Sequence, residues 1–127
     1  MRHASPITVS AADLPRLERL LDDLPEFGPV AATLEEELAR AKIVAPEDIG
    51  SVVTMNSRVR CRETDTGKEY QVVLVYPEDA GEAGRVSVLA PAGSALLGAT
   101  PGERLSWPVP GGKEQQVELL ALEPAAS

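Results

Sequence analysis

The chain has 127 residues, enough to bury one useful core, so one compact domain with an appendage is expected. Twenty acidic residues against twelve basic ones leave a net charge of −8. Residues 1–49 hold ten acids and five bases, and the remainder ten and seven; neither part has the clustered cations that phosphate neutralisation requires, which argues against direct DNA or RNA binding. A single cysteine, Cys61, excludes an internal disulfide, and its place in a Val59–Cys61 alternation suits a small core residue. The first residues carry no apolar run of the signal-peptide kind, and no stretch approaches a membrane span. The expectation is a cytoplasmic protein without membrane contact.

Taken in order, residues 1–9 are a short lead-in whose Ile7 and Val9 can pack back on the rest. His3, the only histidine, has no cysteine or carboxylate partners at ligand spacing, so no metal role is expected for it. Ser10 and Asp13 resemble a capping box that starts a helix. Leu14, Leu17, Leu21 and Leu24 then recur at steps of three and four, a single apolar seam, with Pro15 tolerated in the first turn. Pro25, Gly28 and Pro29 break the pattern. A second seam follows at Val30, Leu34, Leu38 and Ala41, with Glu35, Glu36 and Glu37 around the exposed side. Two arms of about 12 to 15 residues, each spanning roughly 20 Å at helical rise, imply a short antiparallel hairpin. Helices this short are marginal alone, so the hairpin holds by its own leucines or leans on the domain C-terminal to it.

Residues 46–50 read as a linker. From Val52 the period changes to two: Met55, Val59 and Cys61 point one way and Arg58, Arg60 and Arg62 the other. Asp65-Thr66-Gly67 is a turn, and Tyr70, Val72, Leu74 and Tyr76 return as the partner strand. After an acidic loop at residues 77–84, Val86 and Val88 form another strand, which Pro91 and Gly93 end. Ser94 can cap one short helix in which Ala95, Leu96 and Leu97 face the core, and Gly98 supplies a left-handed stop. Pro101-Gly102 turns the chain into Leu105, Trp107 and Val109, and residues 110–112 make a hairpin toward Val117 and Leu119. The fold class is α+β, with a helical hairpin over residues 1–49 and a mainly antiparallel sheet domain with one short helix over residues 50–127.

No phosphate-binding loop, dinucleotide fingerprint or histidine base accompanies the serines or the cysteine, so neither catalysis nor a cofactor is expected. Arg58, Arg60 and Arg62 read two ways: an exposed face kept soluble by pairing with Glu63 or Glu69, or a surface for an anionic partner. Glu35–Glu37 likewise read as a solvated helix start or as an acidic face meeting a basic partner. Trp107 reads as a core or junction residue rather than a ligand platform.

The run Ser87-x-x-x-Pro91-x-Gly93-x-Ala95-Leu96-Leu97-Gly98, followed by a strand ending in Pro110-Gly111-Gly112, resembles the C-terminal domain of the Gre-type transcription factors. Within that superfamily it is most similar to the short bacterial family called regulator of nucleoside diphosphate kinase. Val53–Val59, Asp65–Gly67 and Leu74–Ala80 are similar to that family too, and the likeness covers nearly the whole chain. The resemblance implies an FKBP-like sheet and a protein that acts on RNA polymerase. In Gre-type factors a Ser-x-Asp-x-Pro segment docks on the rim of the polymerase secondary channel; its counterparts here are Ser87, Leu89 and Pro91, with leucine in place of the acid. Gre cleavage factors also carry two acids at the tip of a long coiled coil that help hold a metal ion. Asp23 and Glu26 have that spacing, but the short hairpin makes a non-catalytic tip the expectation. The implied function is a regulator that occupies the channel entrance and excludes Gre-type factors. Two alternatives remain: direct contact with nucleoside diphosphate kinase, and an FKBP-like prolyl isomerase, which needs an apolar pocket rich in aromatics.

Overall fold

The computed structural model describes residues 6–109 and 111–123, so His3 and Pro110 lie outside the described residues. The first strand, β1 (Thr8–Ser10), is followed by helices α1 (Leu14–Asp22) and α2 (Pro29–Arg40) and by strand β2 (Lys42–Val44). β1 and β2 pair in parallel, with Thr8 opposite Lys42 and Ser10 opposite Val44. Parallel neighbours need a crossover, and here the two helices are that crossover. The lead-in and the segment after α2 are thus a small sheet that periodicity did not reveal.

Both helices begin with proline in the first turn, where the missing N–H costs least. In α1 Leu17 and Leu21 are buried, and Leu14 and Leu20, with Leu24 just past the helix, pack partly against the core. The capping box expected at Ser10 and Asp13 does not form. Ser10 Oγ accepts the N–H of Ala12 at 3.1 Å, a tight turn ahead of the helix. Asp13 occupies the N-cap position, but its carboxylate accepts the N–H of Met55 at 3.1 Å instead of a helical donor. The stripe of α2 is Ala31, Leu34 and Leu38, shifted by one residue from the expected start at Val30, which is only half-buried. Glu37 lies beside that stripe and is 3% exposed, so the three glutamates do not share a solvated side. With nine residues α1 is shorter than the expected arm, while α2 with twelve meets the lower bound, and they span about 14 and 18 Å.

Beyond a single 3-10 turn at Pro46–Asp48, the chain forms β3 (Arg58–Glu63), β4 (Glu69–Val75), β5 (Arg85–Ser87), α3 (Pro91–Leu96), β6 (Arg104–Val109) and β7 (Lys113–Glu123). The five strands make one sheet in the order β5-β4-β3-β7-β6. Only β4–β5 is parallel; the other three pairings are antiparallel. The fold class is α+β with few helices. Regular pairing in β3 begins at Arg58 rather than at Val52. Before it, Val53 exchanges hydrogen bonds with residues 98 and 99, and Asn56 adopts a positive φ of 68° while donating to Leu74 O. In β3, Val59 and Cys61 are buried and Arg58 and Arg60 exposed, as the alternation predicts.

The short helix starts earlier than expected. Ala90 is its N-cap, Pro91 opens its first turn, and Ser94 lies inside it rather than capping it. Two glycines fix its seat. A Cβ on Gly93 would fall 1.9 Å from the carbonyl oxygen of Ser87, so the helix presses directly on the end of β5. Gly98 takes a φ of +82°, and a Cβ there would meet the Ile7 side chain at 2.5 Å. Ile7 and Val9 therefore pack back on the body, as expected for the lead-in.

One apolar cluster runs through the molecule. It joins Ile7, Val9, Leu17, Leu21, Leu34 and Leu38 to Val59, Leu74, Leu96, Trp107 and Leu119. Burying a leucine completely contributes about 1.5–3 kcal/mol, and Leu17 and Leu34 are essentially inaccessible. The helical pair therefore packs into the core of the body, α2 against α3, rather than holding itself. Among the described residues no helix is long and apolar enough to cross a membrane.

Candidate docking surface

The corner between β5 and α3 is rigid for local reasons. Ser87 pairs with Val75 in the sheet, and the N–H of Val88 donates to Val75 O at 2.9 Å. Ser87 Oγ accepts the N–H of Leu89 at 3.0 Å, and its carbonyl accepts that of Ala90 at 3.0 Å. Val88 is anchored inward, which leaves Leu89 half-buried and Pro91 exposed. The proline ring lacks an N–H to satisfy and is preset for the helix it starts. The corner thus offers an apolar ledge whose backbone donors are spent internally. A surface of this kind binds with little loss of conformational freedom.

The three β3 arginines do not behave alike. Arg62 donates to Glu118 at 2.8 Å, directly across the β3–β7 ladder, and Arg60 lies 3.8 Å from Glu69. Glu63, one of the expected partners, instead accepts the hydroxyl of Thr66 at 2.8 Å, because the turn at residues 64–67 brings that hydroxyl back to it. Arg58 makes no ion pair among the described residues. It lines an open cleft of about 670 Å³ on the outer face of the sheet with Asn56, Gln71, Val73, Val75 and Arg85. Among the described residues no aromatic ring lines this cleft.

Asp23 and Glu26 are both exposed in the link between α1 and α2. Among the described residues no group of three or more metal-ligating side chains could hold an ion, and the two acids have no third ligand. Between the helices Phe27 is 49% exposed, an aromatic that the seam pattern did not single out.

Sequence reasoning also missed the joint between the helical pair and the sheet. Arg16 on α1 donates to Glu78 at 2.7 Å and lies 3.8 Å above the ring of Tyr76. Burial pushes the Tyr76 hydroxyl up to about 12, with Asp13 adding to the shift. Burial also raises the Asp13 carboxyl, against the lowering effects of the Met55 N–H and of Arg16. Only the sheet topology brings residues 13, 16, 55, 76 and 78 together; no local spacing marks them. In the core, burial pushes the Cys61 thiol up to about 11, so at neutral pH it stays a protonated, unreactive packing group. Trp107 is likewise buried in the core.

Residues 39–124 match the family described as transcription elongation factor, GreA/GreB, C-terminal, and residues 5–44 match the Rnk N-terminus. The chain is 39% identical over 120 residues to "Regulator of nucleoside diphosphate kinase" of Escherichia coli strain K12, covering 92% of this chain and 88% of that protein. It is 36% identical over 94 residues to "Transcription elongation factor GreA" of Acidiphilium cryptum, covering 72% of this chain and 59% of that one. Among solved structures, "Prokaryotic transcription elongation factor GreA/GreB from Nitrosomonas europaea" superposes with a TM-score of 0.82 at 44% identity, covering 93% of this chain and 98% of that chain. With an N-terminal segment of the Rnk type joined to a C-terminal segment of the GreA/GreB type, the chain belongs to the Rnk family of Gre-type transcription factors.

Proposed function

We propose that this protein is a non-catalytic transcription regulator that binds RNA polymerase at the entrance of the secondary channel. The corner at Ser87, Leu89 and Pro91 grips the channel rim, and the helical pair sits in the entrance. Occupancy by this protein then excludes Gre-type cleavage factors by volume alone. The observation that carries this reading is the preorganised ledge. An exposed proline and a half-buried leucine are held by Ser87 at the position where the Gre resemblance puts the docking segment. Leucine in place of the acid makes the contact apolar rather than ionic, so binding should depend weakly on salt.

The short helices support the non-catalytic part. At about 14 and 18 Å they are short arms, and Asp23 and Glu26 stand exposed in the link between them. The prolyl isomerase alternative finds no support in the cleft, whose lining is polar and aliphatic.

Purified polymerase tests the assignment. Leu89→Arg should weaken binding at least tenfold and Pro91→Ala severalfold, with the circular dichroism spectrum of each variant unchanged. Wild-type affinity in both variants would sink the docking surface. The name of the 39% identical Escherichia coli relative favours a second reading, direct contact with nucleoside diphosphate kinase. A pull-down from extract that recovers the kinase without polymerase would replace the first reading with the second.

A further inference from the structure

The sheet has an edge left half-covered. β4 runs over Glu69–Val75 and is paired with β3 along its length from Glu69 to Val73. On its other side β5 covers only Val73, Leu74 and Val75. Along a strand, backbone groups face the same neighbour at every second residue. The N–H of Val73 donates to Gly84 O at 2.8 Å, and Val75 O accepts the N–H of Val88 at 2.9 Å, so both residues face the β5 side. Leu74, by contrast, bonds to residues 56 and 57 on the β3 side. The N–H and C=O of Gln71 and of Glu69 therefore point away from β3, toward a side on which no strand lies among the described residues. This open stretch borders the cleft that Arg58 and Arg85 flank over a floor of Val73 and Val75.

We propose that the β4 edge at Glu69–Gln71, with the adjoining cleft, binds an extended segment of a partner polypeptide as an added strand, one Asp or Glu of which pairs with Arg58. The added strand would supply the missing ladder bonds, and the alternation of its side chains would give the specificity. Charge decides the kind of segment. Arg60 and Arg62 have acidic partners and Arg85 is held by Asp79 O at 3.3 Å and lies 3.7 Å from Glu82, whereas Arg58 has no ion pair among the described residues. Val73 lies opposite Arg58 in the ladder, so an aliphatic neighbour of the acid finds an apolar floor. A nucleic acid strand fits worse, because among the described residues the lining has no ring for base stacking and offers a run of phosphates only one cation without an ion pair, Arg58. The site is separate from the Ser87–Pro91 ledge and does not rest on polymerase binding.

The test uses the whole chain and no polymerase, so its failure and the failure of the docking assignment are read separately. The probe is an acetylated, amidated heptapeptide of alternating threonine and valine with one central glutamate. Titration should shift the amide resonances of Glu69, Gln71 and Val73 saturably. A peptide with central lysine should bind at least fivefold more weakly, and Arg58→Glu should reverse that order. Gln71→Pro removes an outward N–H while leaving the β3 ladder intact, and should lower affinity for both peptides at least fivefold. Absence of shifts at millimolar peptide would overturn the proposal, as would equal binding of the two peptides. The same shifts with inorganic phosphate alone, or self-association of the chain through this edge in sedimentation, would also overturn it.

Discussion

The helical pair and the five-stranded sheet reach stability by different routes. The sheet holds long-range ladders, with β7 bonded along both of its sides, and its inward positions are filled by Val59, Cys61, Leu74, Val117 and Leu119. The two helices have nine and twelve residues, below the length at which isolated helices persist. They persist because Leu17, Leu21, Leu34 and Leu38 enter the same apolar cluster as the sheet, and because Asp13 and Arg16 tie α1 to residues 55, 76 and 78. An appendage that is weak alone can thus be held rigid by the body under it. For a protein read as an obstruction in a channel, that rigidity is the useful property.

The largest expected effect comes from removing the shared packing. Leu17→Ala should destabilise the whole protein by about 2–5 kcal/mol, and urea unfolding should remain a single transition by both circular dichroism and Trp107 fluorescence. Two separated transitions would show that helices and sheet fold as independent units. Next is the seat of α3 against the lead-in. Gly98→Ala places a Cβ at positive φ and against Ile7, and should cost about 1–3 kcal/mol. Adding Ile7→Ala removes the Cγ2 and Cδ1 contacts but keeps the nearest one, to the Ile7 Cβ, so it should return only a fraction of that loss relative to Ile7→Ala alone, which a double-mutant cycle measures.

The smallest effect is the pH response of the joint. Because burial raises the Asp13 carboxyl, the folded protein holds a proton there more tightly than the unfolded chain does. The stability contributed by this group is therefore greatest below its ordinary value of 3.8. It falls as pH rises from there through the raised folded value and is level above it. Asp13→Asn keeps an oxygen acceptor for the Met55 N–H and should flatten that part of the stability–pH curve. An unchanged curve would show that Asp13 is not the titrating group.

Legibility in the sequence followed the range of the interactions. The leucines of α1 and α2, the alternation of β3 and the left-handed Gly98 each depend on near neighbours, and each was readable. The Ser87–Pro91 corner is also local, since its hydrogen bonds span two or three residues. By contrast, the β1–β2 pair joins two three-residue strands, too short to show a period, across more than thirty residues. Glu37 was misplaced because a charged residue beside a leucine stripe looks solvated until another element covers it. The ion pair of Arg62 with Glu118 could not be foreseen without the strand order that sets β3 between β4 and β7. Asp13 shows the same limit most plainly. Its spacing from Ser10 suggested a local cap, but a donor 42 residues away took the carboxylate.

The parallel pairing of Thr8–Ser10 with Lys42–Val44 has one more consequence. The chain leaves for the helices and returns from them at adjacent points, so everything between behaves as a cassette clipped shut at its root. Whole turns can be inserted on either side of residues 23–28 without moving the clip, and lengthening a closed loop costs only a slowly growing entropy. The length of the helical pair is thereby adjustable independently of the Ser87–Pro91 corner.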